Sequence, residues 1–414
     1  MADPVLPSEA KPPQLFGVPR EVVMLGVVSF LTDVSSEAIF AVLPLFLTSV
    51  LGASTLMLGA MEGSADFAGS SLDMASGYLS DRLAKRKSIA ALGYGLSSVA
   101  KVVLLLATTA TQVFAFRVVE RLGKSIRGAP RDALLSGLAP KETRGASFGL
   151  HKAFDKAGAI VGPLIAYAIL GWTGATREGF RTLFLVAVVP AFASVAVLFF
   201  FVREHVGPAH PRIPLREALR TLGPRYRHYL VSAGIFSLAY FSFAFLMLAA
   251  ARVGFELRDV VLLYALFNVS FTVLSVPIGL LGDRIGRRAI IAISYVVYAV
   301  MAVGFALVDS KIGVVALFLL YGVFYAIDEG QSKAYLADLT PEATRATAIG
   351  TYGFVTALVY LPASILAGWL WNSAGPAVTF SVGAGIALVA LAHFLLFEPK
   401  ADAPSAESSS PLQR

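Results

Sequence analysis

Residues 77–87 read GYLSDRLAKRK, and residues 279–288 read GLLGDRIGRR, which is the same motif 202 positions later. Each copy lies between two apolar stretches long enough to cross a bilayer. A second motif recurs in the same sense, with LAPKETRGASFG at 138–149 and LTPEATRATAIG at 339–350. Two matches with nearly the same spacing, 202 and 201 positions, and one direction predict a duplicated half in parallel orientation, which is typical of two-lobed membrane transporters.

Composition supports a membrane protein. Of the 414 residues, 57% are apolar and 15% are charged, and the mean hydropathy is +0.73. Soluble proteins carry about a quarter charged residues, so the charge here is too scarce to cover a water-facing surface. The absence of cysteine excludes disulfides and thiolate metal sites. The formal charge of +7 does not indicate nucleic-acid binding, because Lys and Arg cluster in short loops between apolar stretches.

Twelve apolar stretches are candidate spans, since a span needs about 20 mainly apolar residues. They are residues 22–50, 57–79, 88–108, 112–134, 145–170, 180–202, 228–251, 259–281, 288–308, 313–336, 346–371 and 376–397. We predict a cytoplasmic tail over 1–20, a six-helix lobe over 21–202, a cytoplasmic linker over 203–227, a second six-helix lobe over 228–397 and a cytoplasmic tail over 398–414.

Charge in the short loops predicts the orientation. The 81–87 and 283–288 loops carry four and three Lys or Arg, and the 203–227 linker carries six. The alternating loops carry few, so the basic loops and both termini are expected in the cytoplasm. The predicted fold class is an all-α membrane protein with twelve transmembrane helices in two pseudo-symmetric lobes.

The repeated loop motif, between spans two and three and again between eight and nine, resembles the signature of the major facilitator superfamily. The twelve-span layout extends this resemblance over essentially the whole chain. In that family the loop closes the cytoplasmic side of the outward-open state, and the resemblance carries this gate role to Gly77, Asp81, Arg82, Gly279, Asp283 and Arg284. Gly77 and Gly279 are expected to permit close helix approach. The alternative role is a loop of positive charge that only sets topology.

Span five contains a second, partial family feature. Gly158, Gly162 and Pro163 are similar to the Gly-x-x-x-Gly-Pro motif of drug and proton antiporters, although the glycine pair that normally follows is replaced by Leu164 and Ile165. Small residues at this spacing are also an ordinary helix-packing face, so both interpretations stay open. Span four departs from the exporter pattern after Arg117, and there it resembles a widespread prokaryotic branch of the superfamily.

Ionisable residues are concentrated inside the first lobe. Because a charge within a membrane helix costs at least about 2.5 kcal/mol, such residues mark a transport pathway or an ion pair. Acids balance bases, which indicates a paired network rather than a site for a highly charged anion. The predicted network comprises Asp33, Glu37, Glu62, Asp66, Arg117, Glu120, Arg121 and Asp155.

Carboxylates in a restricted cavity take up and release protons when like charge or desolvation favours their neutral form. We therefore predict that Asp33 or Glu37, facing Arg117 or Arg121, couples transport to protons. The alternative is that these pairs only hold spans one, four and five together.

The second lobe has fewer charges, and its main cluster lies on one face of span ten. There Asp328 and Lys333 fall opposite Arg127 and Asp132 of the repeat, which predicts salt bridges between the lobes. The predicted substrate cavity comprises Lys124, Arg127, Tyr240, Asn268, Tyr321, Tyr325, Asp328 and Glu329.

The sequence thus predicts a secondary active transporter that moves a small organic molecule by alternating access, with proton-coupled efflux as the favoured direction. The alternatives are import or exchange of an organic anion on the basic residues of span four, and a transport-inactive receptor or scaffold. No enzyme, cofactor, metal or nucleic-acid partner is expected. The expected partners are the substrate, protons and the lipid bilayer, for a monomer with several spans in the cell membrane.

Overall fold

The computed structural model describes residues 14–15, 18–83, 85–140, 143–204, 220, 222–341 and 344–397, with side chains outside 14–15, 74–83, 144 and 346. The N-terminal half comprises α1 (Arg20–Phe40, continued by Leu43–Leu45 and the π-helix Phe46–Val50), α2 (Thr55–Leu83), α3 (Arg86–Leu105), α4 (Ala110–Leu138), α5 (Arg144–Thr173) and α6 (Arg177–Phe201). The C-terminal half comprises α7 (Pro224–Ala239 and Phe243–Arg252), α8 (Leu257–Ile285), α9 (Arg287–Leu307), α10 (Lys311–Leu339), α11 (Arg345–Ala374) and α12 (Pro376–Phe397). A two-residue antiparallel pair, β1 (Gln14–Leu15) with β2 (Val18–Pro19), precedes α1.

Within the described part of the chain, ten of these helices are long and apolar enough to cross a membrane. The other two, α2 and α4, are each 29 residues long but carry ionisable side chains along their length. A helix of 29 residues reaches about 43 Å, which exceeds the ~30 Å hydrocarbon core. The all-helical membrane fold is therefore confirmed. The count of twelve spans, the lobe boundaries and the cytoplasmic termini remain predictions.

Turn chemistry in the sequence defines several helix ends. Thr109 forms a capping box with Gln112 at the start of α4, because each side chain accepts a bond from a backbone N–H that the first turn leaves free. Gly286 separates α8 from α9 with a φ of 92°, a conformation that costs little only in glycine.

α7 begins at Pro224, before the predicted lobe start at 228. Residues 205–219 and 221 of the predicted linker lie outside the described residues.

The break in α7 is stabilised by one tyrosine of α9. Tyr298 donates a hydrogen bond to the carbonyl oxygen of Ala239 at 2.5 Å and accepts one from the N–H of Phe241 at 3.2 Å. These are backbone groups that an uninterrupted helix would pair internally. A non-helical turn inside a membrane is tolerated only where such partners replace the lost bonds.

The two halves repeat one packing pattern. In the N-terminal half α1 packs against α5 and α6, and α4 packs against α2 and α3. In the C-terminal half α7 packs against α11 and α12, and α10 packs against α8 and α9. The main contacts between the halves are α2 with α11 and α5 with α8. The space between these two contacts holds the main cavity.

Glycines bring α2 and α11 into backbone contact near the start of α2. A Cβ at Gly59 would clash with the backbone carbonyl of Ser364, and a Cβ at Gly368 would clash with that of Thr55. The Thr55 hydroxyl donates a hydrogen bond to the Gly368 carbonyl oxygen at 3.0 Å. This contact closes the end of the molecule opposite to the end at which the cavity opens.

Candidate functional site

A cavity with a volume of about 440 Å³, the main cavity, lies between the halves. It extends from Glu37 on α1 and Tyr264 on α8 towards Lys152 near the start of α5. The Lys152 side chain is 57% exposed. This open end lies on the side that the loop charges predict to be cytoplasmic. A cavity of this size, closed at one end and between two similar halves, is suited to one small molecule.

The two walls of the cavity differ in chemistry. The N-terminal half supplies most of the charge, including Arg121, Lys124, Arg127 and Arg131 from α4, Lys152, Asp155 and Lys156 from α5, and Asp33 and Glu37 from α1. The C-terminal half supplies an aromatic wall, which consists of Tyr264, Phe267 and Phe271 on α8 and Tyr325 on α10. Asn268, Glu329 and Lys333 add polar groups to that side.

A buried ion network joins α2, α4, α1 and α3. Arg117 binds both carboxylate oxygens of Glu62, at 3.1 and 2.9 Å, and lies 3.5 Å from Glu120. On the other side of Glu120, Ser36 donates to the carboxylate at 3.4 Å and accepts a bond from Lys101 at 2.9 Å. Glu120 and Lys101 are both fully buried. These charges have partners on neighbouring helices, so they hold the N-terminal half together.

Two further arginines of α4 are also paired. Arg121 contacts Asp66 of α2 at 3.0 Å. Arg121 lines the cavity, whereas Asp66 does not. Arg131 contacts the adjacent Asp132 at 2.9 Å and lies 4.0 Å from Asp155 of α5. The sequence placed Arg117 and Arg121 opposite Asp33 and Glu37, but both arginines instead bind acids of α2, because α4 packs mainly against α2 and α3.

Two polar contacts cross between the halves at the cavity. The Tyr264 hydroxyl donates a hydrogen bond of 2.5 Å to a carboxylate oxygen of Glu37. Farther towards the open end, Lys152 and Lys156 approach the carboxylate of Glu329 at 3.5 and 4.0 Å. The predicted salt bridge between Arg127 and Asp328 is expected to break when the cytoplasmic gate opens. In this arrangement, open at the predicted cytoplasmic end, Arg127 donates to Ser97 and Ser332 donates to Asp328, so the salt bridge of the closed gate stays a prediction.

Several charged groups line the cavity without an ion-pair partner among the described residues, namely Asp33, Glu37, Asp73, Lys124, Arg127 and Lys333. Among the described residues, neither Asp33 nor Lys124 has an oppositely charged atom within 4.0 Å, although both line the cavity. Glu37 also lacks a basic partner within that distance and is held by Tyr264 alone. Unpaired charges in a membrane protein are costly, which makes these groups the ones available to a proton or a substrate.

Some residues predicted for the substrate cavity lie behind the aromatic wall. The hydroxyls of Tyr240 and Tyr321 are 3.0 Å apart, and neither residue lines the main cavity. Asp328 is also absent from the lining. Lys124, Arg127, Asn268, Tyr325 and Glu329 do line it, as the sequence predicted.

A smaller cavity of about 100 Å³ lies beyond Tyr264, which lines both cavities. Glu62, Arg117 and Ser242 are among its polar residues. Tyr264 therefore separates the main cavity from a polar chamber that contains part of the ion network. Tyr264 is not among the residues predicted from the sequence, although its spacing with Phe267, Asn268 and Phe271 (i, i+3, i+4, i+7) places all four on one helix face.

The glycines of the partial antiporter motif form the contact between α5 and α1. A Cβ at Gly158 would lie 2.7 Å from the carbonyl oxygen of Phe30 and 2.9 Å from the Cβ of Asp33. A Cβ at Gly162 would lie 2.7 Å from the carbonyl oxygen of Val34 and 3.2 Å from the Cβ of Glu37. Pro163 is inside α5. The motif thus packs directly behind the two carboxylates of α1.

The second copy of the repeated motif connects α8 to α9 and α10. Arg287 contacts Asp283 at 3.2 Å and Asp338 at 2.7 Å, and it donates to Gln331 at 3.2 Å. Close approach occurs at Gly282, where a Cβ would lie 2.5 Å from Gln331, and a Cβ at Gly279 would meet nothing within 4 Å. Arg284 is exposed. In the first copy α2 runs through Gly77, Asp81 and Arg82, whose side chains lie outside the described residues.

Comparison with known proteins agrees with this architecture. The family model of the Major Facilitator Superfamily matches residues 25–267 and 235–413. An uncharacterized MFS-type transporter of Methanocaldococcus jannaschii is 37% identical over 376 residues, which cover 89% of this chain and 93% of that protein. The chain belongs to the Major Facilitator Superfamily. It is accordingly a multi-pass membrane transporter of small molecules and not an enzyme.

Two more distant similarities were found. A cis,cis-muconate transport protein of Acinetobacter baylyi is 23% identical over 256 residues, which cover 58% of this chain and 60% of that protein. The crystal structure of a nucleoside transporter matches with a TM-score of 0.78 at 14% identity, over 92% of this chain and 100% of that one. At this identity the structural match supports the fold alone.

We expect Tyr264→Phe to shift the balance between conformations, because it removes a bond that links the halves in the state shown here. A hydrogen bond to a charged group is worth about 1.5–3 kcal/mol, which corresponds to a factor of roughly 10 or more in population. The chain has no cysteine, so Ala159→Cys reports exposure of the cavity to a membrane-impermeant maleimide. Labelling should slow in the Tyr264→Phe background.

The matched control for this prediction is Tyr167→Phe, because the Tyr167 hydroxyl forms no hydrogen bond with a described residue. Equal labelling rates in both tyrosine variants would show that the bond between Tyr264 and Glu37 does not hold the halves in this arrangement.

Proposed function

We propose that this transporter is proton-coupled, that the 440 Å³ cavity binds a small organic substrate, and that Asp33 and Glu37 carry the protons. The observation that supports this most strongly is the difference among the buried acids. Glu62, Glu120 and Asp66 lie within 4.0 Å of an arginine, whereas Asp33 and Glu37 face the cavity with no base of the described residues at that distance. A carboxylate bound to arginine stays ionised, whereas one without a base gains and loses a proton more readily.

The position of these acids also suits a coupling role. They are one helical turn apart on α1, which contacts α5 through Gly158 and Gly162, and Glu37 reaches the C-terminal half through Tyr264. Protonation of Glu37 would therefore change a bond between the halves. Alternating access requires such a link between the charge state of the site and the arrangement of the halves.

We further propose that the direction of transport is export. The transporter would act as a monomer in the cell membrane, with both termini in the cytoplasm. The support for export is the resemblance of the Gly158–Pro163 segment to the motif of proton antiporters, together with the contact of that segment with the helix that carries Asp33 and Glu37. The cavity would then open to the cytoplasm in the arrangement described, ready to accept an internal substrate.

A second candidate function is import or exchange of an organic anion. The observation that favours it is the set of basic residues that α4 and α5 place around the cavity. The distant relative whose name gives cis,cis-muconate as its substrate transports a dicarboxylate, and it matches 58% of this chain. In this function the bases bind the substrate, and Asp33 need not exchange a proton.

Flux measurements on the purified full chain test the proposal. A thermal-shift screen of small organic acids, amines and neutral compounds first selects a ligand, since a ligand stabilises the state that it binds. In proteoliposomes an acidic interior should drive uptake of that ligand by the inside-out population. Substrate accumulation without a pH requirement supports the anion function, and binding without flux indicates a receptor.

We expect Asp33→Asn and Glu37→Gln to remove the pH dependence of flux while ligand binding is retained. Each amide keeps the size of the carboxylate but cannot exchange a proton, so flux driven by the pH gradient should fall at least about 10-fold, corresponding to about 1.4 kcal/mol. The matched control is Asp309→Asn in the exposed loop before α10. Unaltered pH dependence in both α1 variants would reject the coupling role.

A further inference from the structure

We propose that the substrate is a small aromatic carboxylate, whose anionic end binds Lys124 and whose ring packs on the aromatic wall of α8 and α10. This inference rests on the proposed function only in taking the main cavity as the substrate site. It does not depend on the direction of transport or on proton coupling.

The division of the cavity walls carries the inference. The basic groups come from α4 and α5 in the N-terminal half, and the rings come from α8 and α10 in the C-terminal half. A molecule that binds both walls therefore needs an anionic end and a flat apolar end. A substrate that bridges the two halves also senses their relative position, which is what a transported molecule must do.

Among the described residues, two cavity bases have no ion pair or hydrogen bond, Lys124 and Lys333. Lys333 lies near Asp328 and Glu329 of its own helix, so Lys124 is the base available in the N-terminal half. Arg121 is bound to Asp66, Lys152 and Lys156 share Glu329, and Arg127 donates to Ser97 and lies 4.7 Å from the ring centroid of Tyr94. No acid lies within 4.0 Å of Lys124 among the described residues. An ammonium group with no acid in direct contact attracts a carboxylate ligand, and Asp33, which lies beyond 4.0 Å, only partly balances its charge.

The acids of the cavity do not form an equivalent site for a cation. Glu37, Asp155 and Glu329 are each held by a hydrogen bond or an ion pair. Two acids remain, the exposed Asp73 and the partly buried Asp33, and Asp33 lies in the electrostatic field of Lys124 and Arg127. A cationic ligand at Asp33 would be repelled by both bases, whereas a carboxylate at Lys124 would be attracted by both.

The aromatic wall has a geometry that accepts another ring. Tyr325 meets Phe267 and Phe271 edge to face, with ring centroids 5.4 and 5.0 Å apart and interplanar angles of 82° and 89°. Phe267 and Phe271 are nearly parallel, at 10°. Lys156 covers one face of Phe271, with its ammonium nitrogen 3.6 Å from the ring centroid. We therefore place the added ring against Phe267 and Tyr325, where edge-to-face contacts favour an aromatic ring over a saturated ring of similar size.

A matched ligand series on the purified full-length transporter tests the proposal. Binding of radiolabelled 3-phenylpropanoate is measured in competition with four compounds: its amide, the amine of the same carbon skeleton, L-phenylalanine and 3-cyclohexylpropanoate. We expect 3-phenylpropanoate to bind at least 10-fold more tightly than its amide and its amine, and about 5-fold more tightly than the cyclohexyl acid. Tighter binding of the amine or of L-phenylalanine would overturn the assignment, as would equal binding of acid and amide, or no binding of the acid.

Two variants locate the ends of the ligand. Lys124→Gln should weaken 3-phenylpropanoate at least 10-fold, Lys124→Arg should restore most of the loss, and Lys311→Gln at the exposed start of α10 should have no effect. Phe267→Leu should remove the preference for phenyl over cyclohexyl. Unchanged binding in Lys124→Gln would reject the site, and if either variant fails to fold, the ligand series on the unaltered protein still decides.

The result for the aromatic carboxylate can be distinguished from the result for the proposed proton coupling. Binding of the acid without any effect of pH on its flux would keep this inference and reject proton coupling by Asp33 and Glu37. Proton-coupled flux of an amine or of a neutral compound would do the opposite.

Discussion

Replacing Glu120 by glutamine is expected to destabilise the folded transporter by about 3–5 kcal/mol, because it leaves a buried ammonium group without its balancing charge. Glu120 and Lys101 are both 0% exposed and are joined through the Ser36 hydroxyl. The amide keeps the shape and some hydrogen bonds, so the expected loss is electrostatic. It should appear as a decrease of roughly 5–10 °C in apparent melting temperature in a fixed detergent.

A double variant separates charge from packing in this prediction. Lys101→Met together with Glu120→Gln removes both charges and should recover a substantial part of the stability lost in Glu120→Gln. Lys311→Met, which removes an exposed lysine, should melt close to the unaltered protein. If Glu120→Gln also melts close to the temperature of the unaltered protein, the ion network does not stabilise the N-terminal half.

Helical periodicity could predict that Arg117, Glu120 and Arg121 lie on the inner face of α4, but it could not predict their partners. The identity of the facing residue depends on which helix is the neighbour. Here α4 packs against α2 and α3, whereas α1 packs against α5 and α6. For this reason Arg117 meets Glu62 rather than Asp33, and Asp33 stays free in the cavity.

The fold was predictable from features that depend on single segments. Span length, the repeated loop motif and its direction along the chain together predict a helical membrane protein with a duplicated half. Ten of the predicted spans satisfy length and hydropathy in the described structure. The two that do not, α2 and α4, contain most of the charges of the ion network, and these charges lower their hydropathy.

The aromatic wall was harder to find, because apolar rings in an apolar span have the same appearance whether they face lipid, core or cavity. Phe267 and Phe271 become functional candidates only when α8 and α10 place them opposite the bases of the other half. Tyr264 is similar, since its hydroxyl has a role only because Glu37 lies 2.5 Å away on a helix more than two hundred residues earlier. Such pairs require the tertiary arrangement.

Gly59→Ala is expected to reduce transport by about 100-fold while the protein still folds. The added Cβ would clash with the backbone carbonyl of Ser364, which cannot move without separating α2 from α11. The clash lies 14 residues before the cavity residue Asp73, about 21 Å along α2, so it leaves the binding site intact. A bias of about 2.7 kcal/mol against the closed arrangement is sufficient for a 100-fold effect.

The matched control for this variant is Gly95→Ala in α3, where an added Cβ meets nothing within 4 Å. Flux in proteoliposomes and maleimide labelling of Ala159→Cys are measured for both glycine variants, with ligand binding as the test of an intact site. The contact at Gly59 closes one end of the cavity while the other end is open. A transporter that cannot form this contact leaves its site open to both sides of the membrane or does not complete the transport cycle. Flux at the same rate in the two variants would mean that the contact of α2 with α11 can loosen without cost, and that some other contact closes this end.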